Sequence, residues 1–200
     1  MKPGWILICV LWLVAAGTGA WMVANYDNTP SGSGETPQQW PVASQVDFQR
    51  NQPVLVMFAH RECPCTRASI GELNRLMVQC GGKVAAHVVF VEYDDLPKDG
   101  TQSALWKSAA GISGVQVRRD PGGQEARRFG AESSGYVVLY DSKGQLLFNG
   151  GITSARGHAG DNAGENAIVA LLSGRETPLA QTPVFGCGLW DQTELAAKQP

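Results

Sequence analysis

The sequence lacks an excess of charge of either sign. Only 17% of its 200 residues are charged, and 16 Lys and Arg against 18 Asp and Glu leave a formal net charge of −2. Proteins that bind the phosphates of nucleic acids carry a basic surface, so we expect no nucleic-acid partner. Gly and Pro, at 24 and 11 residues, fall short of the share typical of disorder, and 44% of the residues are hydrophobic. The composition therefore predicts one globular domain with a packed core.

Charge is also missing from residues 5–24 (WILICVLWLVAAGTGAWMVA). As a helix this run would measure about 30 Å, the thickness of a bilayer core. Lys2 precedes it and the next basic residue is Arg50, so the positive-inside rule leaves the amino end in the cytoplasm. We predict a transmembrane signal-anchor over residues 1–24, a single pass through the inner (plasma) membrane and an extracytoplasmic or periplasmic domain. A signal peptide cleaved at the small residues 18–20 is the alternative, although the run exceeds the usual apolar region of about 7–15 residues.

Beyond this run, hydrophobic periodicity predicts alternating strands and helices. Residues 25–41 are polar and rich in Gly, Ser and Pro, which predicts a flexible linker. The domain is predicted over 42–173 and a tail that packs back toward the active site over 174–200. The element order is β-α-β-α-β-α-β-β-α, an α/β class. The strands are predicted over 54–59, 84–93, 115–119, 136–141 and 145–149, and the helices over 64–80, 101–110, 123–129 and 162–172.

The motif HRECPCT, residues 60–66, stands between the first strand and the first long helix of the domain. We expect Cys63 to cap this helix and Pro64 to be its first residue. A sulfur there can accept backbone N–H groups and lies at the positive end of the helix dipole, and both effects favour the thiolate. Cys63 is therefore the predicted reactive sulfur. Cys65 could close a small, strained and exchangeable disulfide with it; a static disulfide or unused thiols are the alternative.

Two segments, VLVMFAHRECPCT and DPGGQEARRFGAESSGYVVLYDSKGQLLFNGG, resemble the thioredoxin-like superfamily. The likeness covers about residues 42–173 and is greatest to membrane-anchored TlpA and ResA thiol-disulfide oxidoreductases and to RedB-type proteins. It implies a central mixed sheet flanked by helices, disulfide exchange with extracytoplasmic protein thiols, and no organic cofactor. Two departures stand out. Thr66 occupies the second cysteine position of the family's CxxC motif, and Ser134 and Gly135 occupy the substrate loop that usually holds a cis-proline.

A Gly-rich loop after the hairpin, GGITSARGHAGDNAG, lies beside the cysteines in this fold. His158 could donate a proton to a leaving thiolate, and Arg156 could contact the substrate. His60 competes with His158 for the role of auxiliary acid or base. The alternative is a surface loop in which Asp161 or Asn162 only caps the last helix.

Three further residues, Cys187, Cys80 and His87, are candidates for the site or for the core. Cys187 follows Ser173 by a span of at most about 46 Å, against some 17 Å for the last helix, so it can return to the site. It could be a resolving thiol, a soft metal ligand, a structural bridge or an unpaired thiol. Cys80 lies roughly 25 Å from Cys63 by helical rise, too far for a disulfide; we expect a buried hydrophobe, or a bridge to Cys187. His87, in an apolar strand, is expected to be a satisfied core residue.

These residues support two main functions. The first is a thiol-disulfide oxidoreductase in which Cys63 forms a mixed disulfide that Cys65 or Cys187 resolves. The second is a copper(I)-binding assembly protein or metallochaperone, in which Cys63, Cys65 and His158 bind the ion. For this second function, the sequence resembles the thioredoxin-like SCO copper proteins, although these space their cysteines CxxxC and this chain has CPC. A third possibility is a domain that only binds a partner.

Overall fold

The structure, a computed structural model, describes residues 3–61, 63–92, 103–177 and 179–190. The predicted order of strands and helices is confirmed, with ends that differ by a few residues. Residue 93 of the predicted second strand and residues 101–102 of the helix after it lie outside the described part of the chain. The elements are α1 (Pro3–Asn28), β1 (Val54–His60), α2 (Thr66–Cys80), β2 (Ala85–Glu92), α3 (Ala104–Ala110), β3 (Val115–Pro121), α4 (Gln124–Arg128), β4 (Tyr136–Tyr140), β5 (Leu146–Gly151) and α5 (Ala163–Leu172).

One five-stranded mixed sheet, in the order β3-β2-β1-β4-β5, forms the centre of the domain. Strands β1, β2 and β3 are parallel, whereas β4 runs antiparallel to β1 and β5 antiparallel to β4. Strand β1 is apolar and buried from Val54 to Ala59, as expected of a middle strand whose two faces are both covered. The predicted thioredoxin-like α/β fold is confirmed.

Helix α2 supports the cysteine motif from one face of the sheet. Its apolar side chains Ile70, Leu73, Leu76 and Met77 recur at helical spacing and are buried, and each full burial contributes about 1.5–3 kcal/mol. The helix is followed by Gly81 in the left-handed conformation, which is common at the ends of helices. Helices α3 and α5 pack on the same face.

The opposite face is covered by α4 and by two irregular segments, one before β1 and one in the tail. In place of a free tether, residues 31–40 run along the domain, and Gly34 N donates to Gly130 O at 3.0 Å. The ring of Trp40 packs at 5.1 Å from that of Phe129. Burying an aromatic ring offsets the entropy lost in ordering this polar segment.

Helix α1 continues past the predicted end at residue 24. Gly4–Asn28 is the one helix among the described residues that is long and apolar enough to cross a membrane. Its side chains are exposed; Trp5, for example, is 68% accessible. An apolar amino-terminal helix of this kind fits either a transmembrane span or a signal sequence.

Candidate functional site

The prediction that Cys63 caps the first domain helix is wrong. Helix α2 begins at Thr66, and Cys65 is its N-cap, with helical backbone angles and no side-chain capping bond. Cys63 lies one tighter turn earlier, where Thr66 N donates to Cys63 O at 3.1 Å and Arg67 N to Pro64 O at 3.3 Å. These i to i+3 bonds form a 3₁₀-type turn, which is common at helix starts.

Three cysteine sulfurs meet at this turn. Cys63 is only 1% exposed, and its sulfur lies 2.7 Å from the Cys187 sulfur. Cys187 N also donates to the Cys63 sulfur at 3.4 Å, and the Cys65 thiol hydrogen-bonds to Cys63 as well. Cys65 and Cys187 are partly exposed. The buried sulfur of Cys63 is thus flanked by two more accessible ones.

The three thiols have different acidities. Burial, the largest influence, raises the pKa of Cys63, but hydrogen bonds from Cys187 and then from Thr66 outweigh it and leave that pKa lowered. The pKa of Cys187 is raised to about 12, first by burial and then by its bond to Cys63 and the charge there. The pKa of Cys65 is raised by burial and then by the charge of Cys63. Of the three thiols, that of Cys63 is therefore the most readily ionised.

Thr66 is a site residue that the sequence did not indicate, and its hydroxyl group lies next to Cys63. It hydrogen-bonds to Cys63, lies 2.6 Å from Ser134 Oγ and reaches His60 O at 3.2 Å. His60 N donates to Ser134 Oγ at 2.9 Å. Ser134, predicted to bind substrate, is buried and joins this network beneath the sulfurs. His60 contributes its backbone to the same network.

Gly135 occupies the position at which the resemblance to thioredoxin-like proteins implies a cis-proline, and its surroundings do not suit a proline. Its N–H donates to Phe58 O at 2.8 Å, a bond that proline cannot make. Its φ is +87°, and a Cβ would lie 2.7 Å from Ser69 Oγ. No cis peptide bond occurs among the described residues.

Residues 186–189, here called the tail strand, pair with the loop before β4. Ser134 N donates to Cys187 O at 2.8 Å and Leu189 N donates to Glu132 O at 2.7 Å. The pairing is antiparallel, and Leu189 is fully buried beneath it. Backbone pairing of this kind attaches an extended segment to another chain segment without a side-chain pattern. It fixes Cys187 beside Cys63.

Arg156, predicted as a substrate contact, bonds within the chain. Its guanidinium donates to Ser31 Oγ at 2.9 Å and to Tyr26 O at 3.2 Å, and it also donates to Gly186 O. His158 is exposed, and its Nδ1 lies 2.9 Å from Arg156 O.

At the end of the loop that carries Arg156 and His158, Asn162 caps the last helix, which was the alternative to a functional role for this loop. Asn162 Oδ1 accepts a hydrogen bond from Glu165 N at 2.7 Å and caps α5. The described residues contain no group of three or more His, Cys, Asp or Glu placed to hold a metal. Copper binding by Cys63, Cys65 and His158 stays a prediction.

A pair of buried carboxyl groups lies on the far side of the same loop and was missed from the sequence. Glu72, fully buried on α2, accepts from Gly160 N at 2.9 Å. The pKa of Glu165 is raised to about 7 by burial first and then by its hydrogen bond to Glu72, against the opposing charge of Arg75. The pair thus holds the loop that passes Cys65 and Arg156.

Two predictions about the core have different outcomes. Cys80 is a free thiol, 4% exposed and packed in the core, so its role as a buried hydrophobe is confirmed and no bridge to Cys187 forms. His87 is buried as expected, but neither ring nitrogen has a hydrogen-bond partner. Burial lowers its pKa, an effect that the charge of Asp47 only partly opposes.

Comparison with known proteins finds similarity in structure. No family model and no curated protein matches the sequence. A hypothetical protein from Sinorhizobium meliloti matches with a TM-score of 0.61 and 19% identity, over 80% of this chain and 98% of that chain. An uncharacterized conserved protein from Geobacillus kaustophilus gives 0.59 and 18%, over 82% and 94%. A secreted Mycobacterium tuberculosis disulfide oxidoreductase gives 0.44 and 12%, over 64% and 84%. At such identities the likeness concerns the fold alone.

Proposed function

We propose that the protein is a membrane-anchored, extracytoplasmic thiol-disulfide oxidoreductase whose redox couple is Cys63 and Cys187. The observation that carries the proposal is the 2.7 Å separation of their sulfurs. The lowered pKa of Cys63 supports it, because a thiolate is the reacting form in disulfide exchange. Kinship with the TlpA, ResA and RedB-type proteins is part of the same proposal.

The burial of Cys63 determines which sulfur meets the substrate. In the oxidised protein a substrate thiolate attacks Cys187, the more accessible atom of the disulfide. Cys63 leaves as a thiolate, and a leaving thiol of lower pKa departs faster. The second substrate thiol, after losing its proton, attacks the mixed disulfide and releases Cys187, which takes up a proton. The substrate is oxidised by two electrons and the protein is reduced by two.

This mechanism also gives a direction. Stabilising the Cys63 thiolate stabilises the reduced protein, and a dithiol whose reduced form is stabilised is an oxidant. We therefore place the protein as an acceptor of electrons from substrate dithiols. Cys65, whose pKa is raised, is a third thiol that stays reduced during this half-reaction.

Serine variants of the three cysteines test the couple. Oxidised full-length protein in detergent is mixed with a peptide dithiol, and the rate of peptide oxidation is measured. Cys63→Ser and Cys187→Ser should abolish oxidation, whereas Cys65→Ser should retain most of it. Loss of activity in Cys65→Ser together with retention in Cys187→Ser would assign the chemistry to the CPC pair instead.

Anchoring and copper are tested on the same protein. The length and exposure of α1 support a single span with the domain outside the cytoplasm, and the protein recovered from membranes should still carry residues 5–24. Copper(I) binding by Cys63, Cys65 and His158 is the alternative that we do not adopt as the function. Titration of the reduced protein with Cu(I) against a chelator should show no tight stoichiometric binding; tight binding without exchange would reverse the assignment.

A further inference from the structure

The end of the membrane helix is bound directly to the loop beside the cysteines. Arg156 N donates to Asp27 O at 3.0 Å and Arg156 Nε donates to Tyr26 O at 3.2 Å. The guanidinium also lies over the ring of Tyr26, 4.7 Å from its centroid. Residues 26–31, here called the juxtamembrane segment, are therefore attached to the domain immediately after the apolar run.

The same segment holds the tail strand. Ser31 Oγ donates to Gly186 O at 2.6 Å and accepts from Gly186 N at 3.2 Å, and Ser31 N donates to Val184 O at 2.8 Å. Cys187 is the next residue after Gly186. The connection from the membrane helix to the Cys187 sulfur thus passes through one side chain and one peptide unit.

These contacts limit the height of the site above the bilayer. From residue 24 to the end of α1 at Asn28 the helix rises about 6 Å, close to the thickness of one headgroup layer. Three further residues to Ser31 add at most about 10 Å. With the step across to Cys187, the sulfurs lie no more than about 25 Å from the hydrocarbon edge. A free tether over 25–41 would instead reach up to about 56 Å when extended.

We propose that the site exchanges disulfides with cysteines of a partner anchored in the same membrane, presented close to the bilayer surface. Arg156 bonds both to Tyr26 of the juxtamembrane segment and to Gly186, the neighbour of Cys187. The site therefore lies on the membrane-facing side of the domain. A dithiol there reacts as in the proposed mechanism: a partner thiolate bonds to Cys187 and displaces Cys63 as thiolate. The partner's second thiol then closes its own disulfide. The inference rests on the proposed exchange function and on an uncleaved α1.

The test uses oxidised full-length protein in liposomes with single-span peptides that carry a dithiol. The dithiol follows the apolar run by a short, medium or long Gly-Ser spacer of about 12, 25 or 60 residues, of which the shortest extends to about 40 Å and so spans the height of the site. A soluble dithiol peptide serves as reference. Effective concentration falls roughly as the −3/2 power of spacer length, so the rate should drop about tenfold from the shortest to the longest spacer. A rate that instead rises with spacer length would place the site away from the membrane and overturn the inference.

A matched variant raises the domain without touching the site. About twelve Gly-Ser residues inserted between Ala24 and Asn25, a length that adds up to about 40 Å, leave the juxtamembrane segment intact. This variant should lose the preference for the short spacer and keep the rate with the soluble dithiol. Failure of both proteins to oxidise the soluble dithiol would refute the exchange function. Normal soluble activity with no effect of spacer or insertion would refute the membrane-facing site alone.

Discussion

A methyl group added at Gly186 would collide with the loop that pairs with the tail strand. An alanine Cβ there would lie 1.8 Å from Ser134 O, so the tail must shift by about 1.6 Å to restore an ordinary contact of 3.4 Å. The shift acts on Cys187, the next residue, which is 2.7 Å from Cys63. Loss of the pairing with the loop before β4 would remove two backbone hydrogen bonds and the burial of Leu189, together about 4 kcal/mol.

The assay is the equilibrium of the Cys63–Cys187 disulfide with glutathione, quenched in acid and quantified by alkylation. Since 1.4 kcal/mol is a factor of ten, Gly186→Ala should lower the equilibrium constant for disulfide formation at least about tenfold, and up to several hundredfold. Gly188→Ala is the control, because its Cβ would meet the nearest atom, Trp190 O, at 3.4 Å; it should stay within about twofold of wild type. Equal constants for the two variants would refute the pairing of tail strand and site.

Three further predictions concern acidity. Thr66→Val removes a hydrogen bond to Cys63 and should raise its pKa in a pH series of alkylation rates; Thr66→Ser should not, and equal values in both variants would contradict the network. Because the pKa of Glu165 is raised from 4.5 to about 7, its contribution to stability is present below pH 4.5 and is lost as the pH rises through 7. Glu165→Gln should remove that dependence from denaturant unfolding curves. Because the pKa of His87 is lowered from 6.5, the free energy of unfolding should fall as the pH drops below 6.5. In His87→Leu the free energy of unfolding should depend less on pH in this range. An unchanged pH dependence would show that His87 takes up its proton freely.

The fold could be predicted from the sequence because its core elements have clear periodicity. Strand β1 is a continuous apolar run, and α2 repeats apolar residues at helical spacing before a glycine stop. The tail strand could not be predicted, since residues 186–189 read GCGL and are held by backbone bonds that no side-chain pattern encodes. Reach alone showed that Cys187 could return to the site, but not that it lies against Cys63.

The contacts of the linker and of the loop that carries Arg156 could not be predicted from the sequence either. Residues 25–41 have the composition of a tether, yet Trp40 anchors them to the second face of the sheet. The position of Arg156 in a Gly-rich loop predicts a substrate contact, but its partners, Tyr26 and Ser31, are 130 and 125 residues away in the chain. Contacts between such distant segments depend on tertiary packing, which local patterns do not specify.

The most direct measurement is the disulfide map of the oxidised full-length protein. Free thiols are alkylated, the chain is cut after Lys and Arg, and the peptides are fragmented in a mass spectrometer. We predict that peptide 62–67 is joined to peptide 176–198 through Cys63 and Cys187, with Cys65 alkylated. A peptide 62–67 closed on itself, with Cys187 alkylated, would contradict it.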